Sequence, residues 1–207
     1  MIKLNLKNQF SIFFKILFFS LFFISKSLSD NISDKKKMIV LGSYNAAVKI
    51  KIFSSLTCPH CADFHKEVVP KLKKKYVESG KVQLIFMDFP LDLAAFNASK
   101  FLHCVDQKKQ INLLDAIYEN QNKWTNGSNI DEINNNLKKI GKNLGISSAQ
   151  FDKCLMDEVI SDNILNERID AAKKYSIEAT PTIIINEKKL EGSINFKNIE
   201  KKIEKII

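Results

Sequence analysis

Cys58-Pro59-His60-Cys61 stands where a strand-like run gives way to a helical pattern, and it constrains the fold more than any other feature of the chain. Before it, Val48, Ile50 and Ile52 alternate with Lys49 and Lys51, the period-two signature of a half-buried strand. After it, Phe64, Val68, Leu72 and Tyr76 recur every four residues and give one apolar face to a helix over about 59–77. Thr57 reads as its N-cap, and Pro59 suits the first turn, where a missing N–H loses no partner. Pro70 is expected to kink the helix, because it cannot donate to the carbonyl of Lys66. Two thiols this close, at a helix start, can close a strained and reactive disulfide.

The remaining patterns place this unit in an α/β fold. Met38–Leu41 reads as a short edge strand, and 82–89 as a strand closed by Pro90. From 92 to about 175 no convincing strand occurs, and helical patterns fill the space. One runs through Ala94, Ala95, Ala98 and Leu102, one through Leu113, Leu114 and Ile117, and one through Ile130, Ile133, Leu137, Ile140 and Leu144; Asn126-Gly127 marks a turn between the last two. Leu155, Val159 and Ile160 read as the start of another helix ending near Tyr175. Residues 182–186 return to strand, and Leu190-Glu191-Gly192 reads as the start of its hairpin partner. Phe196, Ile199, Ile203 and Ile207 share one face of a closing helix. The first βαβ unit and the final ββα unit would then join in one sheet, split as 30–90 and 177–207, with a helical block over 91–176 between them.

The first 29 residues have a different chemistry. Lys3 and Lys7 precede a Phe- and Leu-rich run broken by Lys15, small residues follow at Ser25, Ser27 and Ser29, and the first acid of the chain is Asp30. That order reads as an export signal over 1–29, with an uncleaved N-terminal anchor as the rival. Either form carries the body out of the cytoplasm, where disulfides persist. The net charge of +9 falls to about +5 without this segment. Arg168 is the sole arginine, and the lysines are interleaved with acids and Asn. Nucleic-acid readers favour clustered Arg, so the lysines read as a solvated surface and no nucleic-acid partner is expected.

A helix start offers Cys58 free N–H groups and the positive end of the dipole, both of which favour thiolate over thiol, and His60 adds a cation or a donor nearby. A depression worth three pH units at neutrality amounts to ~4 kcal/mol, which moves a two-electron couple by on the order of 90 mV toward oxidising. Pro59 and His60 are thus the tuning residues, and Cys61, one turn further in, the buried resolving partner. Zinc held by Cys58 and Cys61 with His60 or His65 is the competing reading; zinc modules usually add a second ligand pair at comparable spacing, and none is present, so no metal is expected. Thr180-Pro181 precedes the apolar run at Ile183–Ile185 and is the candidate substrate-binding loop, where a cis bond would turn the Thr180 backbone outward to an extended client. Cys104 and Cys154 are either two free buried thiols or a structural disulfide; the even count and an exported context favour pairing.

Ser55-Leu56-Thr57-Cys58-Pro59-His60-Cys61, the Phe64-His65 helix, the helical block and Ala179-Thr180-Pro181-Thr182 resemble the DsbA-like thiol:disulfide oxidoreductases of bacterial envelopes. The resemblance runs from about Leu41 to the C-terminus. It implies a thioredoxin-like fold with an inserted helical domain, and a periplasmic enzyme that passes its Cys58–Cys61 disulfide to reduced exported proteins through a mixed disulfide at Cys58. It further implies a DsbB-like, quinone-linked membrane oxidase as the recharging partner, and no cofactor beyond the redox-active disulfide. A second cysteine pair in the helical domain is similar to that of alphaproteobacterial members, which adds weight to Cys104–Cys154. One position departs from the family: where relatives often carry an acid, six residues before the first active-site Cys, this chain has Ile52. An isomerase or reductase, and a non-catalytic chaperone or metal-delivery module on the same fold, are the alternative functions.

Overall fold

A computed structural model describes residues 38–207, so the proposed export signal lies outside the described residues. The strands β1 (Ile39–Leu41), β2 (Val48–Ser54), β3 (Val82–Asp88), β4 (Thr182–Ile185) and β5 (Lys188–Lys189) form one sheet in the order β1-β3-β2-β4-β5. β2 and β3 are parallel, and every other pairing is antiparallel. The sequence explains the ranking of strands. β3 is buried at all but one position and takes a central place, whereas β5, two exposed lysines, is an edge.

The parallel β2–β3 pair needs a crossover, which α1 (Pro59–Glu67), α2 (Val69–Leu72) and a π-helical turn (Lys73–Val77) supply. The expected single helix is therefore interrupted. The break falls at Val68, two residues before Pro70, whose ring and missing N–H disrupt the ladder toward Lys66. Phe64, Val68, Leu72 and Tyr76 nevertheless all face the main core, with Ile50, Ile52 and Leu84 of the sheet.

Between β3 and β4 come α3 (Leu93–Cys104), α4 (Gln107–Glu119), α5 (Gln121–Trp124), α6 (Ile130–Asn143), α7 (Ser148–Leu155) and α8 (Glu158–Tyr175). Leu155 ends α7 instead of opening α8, because the Asp157 side chain accepts from Ile160 N and starts a new helix there. α3 and α6 approach closely: a Cβ at Gly141 would lie 2.6 Å from the Phe101 ring. On the other face of the sheet, Phe53, Phe89 and Ile184 pack with Ala171 of α8 and Ile177 just beyond its end.

The hairpin partner of β4 begins at Lys188, earlier than the expected Leu190. Asn186 and Glu187 both have positive φ (42° and 68°), as a two-residue turn of the I′ kind requires, so the chain reverses at once. The Asn186 side chain then bonds the backbone of Lys49 and Ala47 and ties the turn to β2. The closing helix α9 (Phe196–Ile203) buries Ile199 and Ile203 and ends before Ile207, which is exposed.

Candidate active site

Cys58 occupies the N-cap of α1 in an extended conformation (φ −74°, ψ 120°), with Pro59 in the first turn. Its carbonyl accepts the first helical bonds, from Cys61 N at 3.1 Å and Ala62 N at 3.2 Å. Thr57, expected as the cap, stands one residue too early. Its Oγ1 donates instead to Asp92 Oδ2 at 2.6 Å, and Asp92 in turn caps α3 by accepting from Ala95 N. No side chain caps α1. The Cys58 sulfur therefore stands at the positive end of the helix dipole without acting as a side-chain cap.

The two thiols have opposite surroundings. Cys58 is half-buried, and Cys61, on the inner side of α1, is 1 % exposed. Burial pushes the Cys61 thiol up to about 12, against smaller opposing contributions from the Thr180 side chain and the Ser55 backbone. Pro59 and His60 both face outward.

Thr180 reaches this pair through strand register. β4 runs antiparallel to β2 with Thr182 opposite Phe53, so the residues before β4 meet those after β2. The Thr180–Pro181 peptide is cis. Cys58 Sγ donates to the Thr180 carbonyl oxygen at 3.4 Å. A groove of about 520 Å³ continues from there between the outer face of α1 and the loops around Pro181 and Ile194, with His60 on its wall.

Gln121 was not singled out by any sequence pattern, yet it holds the active-site loop. It is buried, and its Nε2 donates to the carbonyls of Leu56 (2.8 Å) and Cys58 (3.0 Å). The sequence carries no hint of this role, since Gln121 lies in the polar run Glu119-Asn120-Gln121-Asn122-Lys123. Trp124 and Tyr118 are buried packing residues, and Trp124 Nε1 donates to the Ile117 carbonyl. Burial also holds the Tyr118 hydroxyl well above the usual phenol range, with Cys61 the next contributor.

His65 is engaged elsewhere: its Nε2 lies 2.7 Å from Asp115 Oδ1, and its ring packs on Tyr118. No group of three or more His, Cys, Asp or Glu side chains is arranged to hold a metal ion among the described residues. Ile52 is buried in β2 between Phe86 and Ile183, so apolar packing fills the place where relatives often carry an acid. Asp88, at the end of β3, instead accepts from Ser99 Oγ and lies 2.5 Å from His103 Nε2. Cys104 and Cys154 form a disulfide between α3 and α7, with Cα atoms 5.5 Å apart.

A half-buried thiol at an uncapped helix start, a buried second thiol and a cis-proline loop beside them are an arrangement suited to thiol–disulfide exchange. The family model described as Thioredoxin matches residues 34–205, and the chain belongs to that family. The crystal structure of Wolbachia pipientis alpha-DsbA1 is similar at 30% identity and a TM-score of 0.73, covering 82% of this chain and 90% of that one. The Bacillus anthracis "Probable disulfide bond formation protein D" is 31% identical over 173 residues, 80% of this chain and 76% of its own. A Rickettsia bellii "Putative protein-disulfide oxidoreductase" is 29% identical over 171 residues, 82% of this chain, and the chain spans only 64% of that relative's length.

Proposed function

We propose that this chain is an exported disulfide donor: a dithiol oxidase whose Cys58–Cys61 bridge passes to reduced client proteins. The observation that carries the proposal is the Cys58 sulfur at the uncapped start of α1, 3.4 Å from the Thr180 carbonyl, with Cys61 buried behind it.

In the oxidised protein a client thiolate attacks Cys58 Sγ. The S–S bond breaks toward Cys61, which takes up a proton because its buried site disfavours the anion. A second client thiolate then attacks the client sulfur of the mixed disulfide. Cys58 leaves as a thiolate at the positive end of α1, and the client departs with a new disulfide. Two electrons have moved from client to enzyme. A DsbB-like, quinone-linked membrane oxidase would remove them, and this chain needs no metal or organic cofactor for its half of the cycle.

In this reading Thr180 and Pro181 receive the client as an added extended segment, and Pro59 and His60 tune the pair. Segments 30–90 and 177–207 form the redox half, and 91–176 the inserted helical domain braced by Cys104–Cys154. Segment 1–29 exports the body to the periplasm, as a cleaved signal or as an anchor. Among the described residues no helix is long and apolar enough to cross a membrane.

The test is a single turnover. The oxidised protein, mixed with a reduced unfolded client, should transfer one disulfide per molecule, and Cys58→Ser should transfer none. Client thiols that stay reduced, or a Cys58→Ser variant as active as the parent, would refute the proposal.

A further inference from the structure

The groove beside Cys58 carries the opposite charge to the rest of the protein. The chain has 32 Lys and Arg against 23 Asp and Glu. The groove contains no Lys or Arg; its two formally charged wall residues are Asp63 and Glu67, both exposed on α1. They follow His60 at three- and four-residue steps, so the three residues share one face of the helix, and Asp63 and Glu67 are ~6 Å apart along it. Asp63 faces Lys66 at 3.7 Å, a solvent-exposed pair that neutralises it weakly. Glu67 has no ion-pair partner among the described residues.

Apolar surface lies between this wall and the opposite one. Phe64 and Val68 are buried beneath the acids, Pro181 lines the end near Cys58, and Ile194 forms the far side. The groove therefore combines an apolar floor with an acidic rim. Its length is set by the helix: Glu67 is nine residues from Cys58, ~13 Å along α1 at 1.5 Å per residue. An extended client advances ~3.3 Å per residue, so a side chain two to four residues from its reacting cysteine reaches the acids.

We propose that Asp63 and Glu67 make the exchange site selective for client cysteines followed or preceded, at two to four residues, by Lys or Arg. This deepens the disulfide-donor reading and rests on it. Two exposed carboxylates on a shared groove wall attract a cationic side chain and repel an acidic one, and they act mainly on the rate of productive encounter. The chemistry of transfer is unchanged: one client dithiol becomes a disulfide as Cys58–Cys61 becomes a dithiol.

The experiment uses the oxidised protein and three dithiol peptides identical except for Arg, Gln or Glu three residues from the first cysteine. Single-turnover rates are compared at low and high salt. The Arg peptide should react roughly threefold to tenfold faster than the Glu peptide at low salt, with the ratio shrinking toward one as salt rises. Asp63→Asn/Glu67→Gln should bring the ratio close to one, and Asp63→Lys/Glu67→Lys should reverse the order. Equal rates for the Arg and Glu peptides with the parent protein would overturn the selectivity, as would a ratio that survives either double variant. If the parent oxidises none of the three peptides, including the neutral one, the disulfide-donor reading itself fails.

Discussion

Cys58 and Thr180, 122 residues apart in the chain, are joined by a hydrogen bond from the Cys58 sulfur to the Thr180 carbonyl oxygen at 3.4 Å. The bond exists because β2 and β4 are antiparallel partners whose ends bring the two loops together. It places a backbone acceptor beside the reactive sulfur. When the sulfur carries no proton, that carbonyl is available to a client N–H. The first prediction concerns the intermediate. With Cys61→Ala, Cys58 attacks a client disulfide, releases one client thiol, and retains the other client sulfur because no resolving thiol remains. Mass spectrometry under non-reducing conditions should find the client joined to Cys58, and Cys58→Ser should form no adduct.

The reduced protein should be sensitive to alkali through Cys61. Its thiol is raised to about 12 by burial, above the ordinary thiol value of 9.0 from which it is displaced. The folded state therefore holds a proton that the unfolded state releases. The stabilisation is complete below about pH 9 and is lost as pH rises toward the folded value. Urea unfolding of the reduced protein should show falling stability across that window. The oxidised protein has no Cys61 thiol and should show no such loss from this group.

Gln121 links the helical block to the active-site loop. Replacing it with Leu leaves the carbonyl of Leu56 short of a donor and removes the brace on Cys58. The expected cost is ~1–3 kcal/mol, the penalty for an unsatisfied buried polar group. Denaturant unfolding would measure it, with Gln121→Glu as the companion variant: it keeps the shape but loses the donor, so it should also be destabilised.

The Cys104–Cys154 bond closes a loop with a sequence separation of 50. Cross-linking at that spacing restricts the unfolded chain by about 4 kcal/mol in the chain-entropy treatment, and measured losses run about 2–5 kcal/mol. Cys104→Ala/Cys154→Ala should lower the unfolding free energy by that amount while Cys58–Cys61 still exchanges with glutathione.

The β4–β5 turn carries an acid-sensitive cluster. Lys174, Lys51 and Tyr175 hold the Glu187 carboxyl down to about 2. A depressed carboxyl contributes stability that is present above its unfolded value and lost as pH falls through the folded one. Glu187→Gln should thus be less stable than the parent near neutrality, by less than about 1 kcal/mol because the group is exposed. The two should converge as pH approaches 2, as thermal melts across pH would report.

Much of this site is legible along the chain, because it rests on local signals. The alternation of Val48, Ile50 and Ile52, the four-residue spacing from Phe64 to Tyr76, and a proline before Ile183–Ile185 each arise from periodicity or fixed φ. What escapes is decided by distant partners. Thr57 has the chemistry of a cap, yet Asp92, 35 residues on, takes its hydroxyl, and the cap position passes to Cys58. The early reversal at Asn186–Glu187 depends on two positive φ angles in residues that also serve ordinary loops. Gln121 acquires its role only because α5 is folded against the loop at Leu56–Cys58. Asp63 and Glu67 match no sequence pattern, because the groove they border exists only once the Ile194 loop forms the opposite wall.

How readily the Cys58–Cys61 bridge is given away can be read by equilibrating the protein in glutathione buffers of defined ratio. A disulfide donor should show a potential well above that of thioredoxin, ~ −270 mV, and toward the ~ −120 mV of a strong oxidant. A value at or below about −270 mV would contradict that role, since a bridge that stable would be kept, not donated.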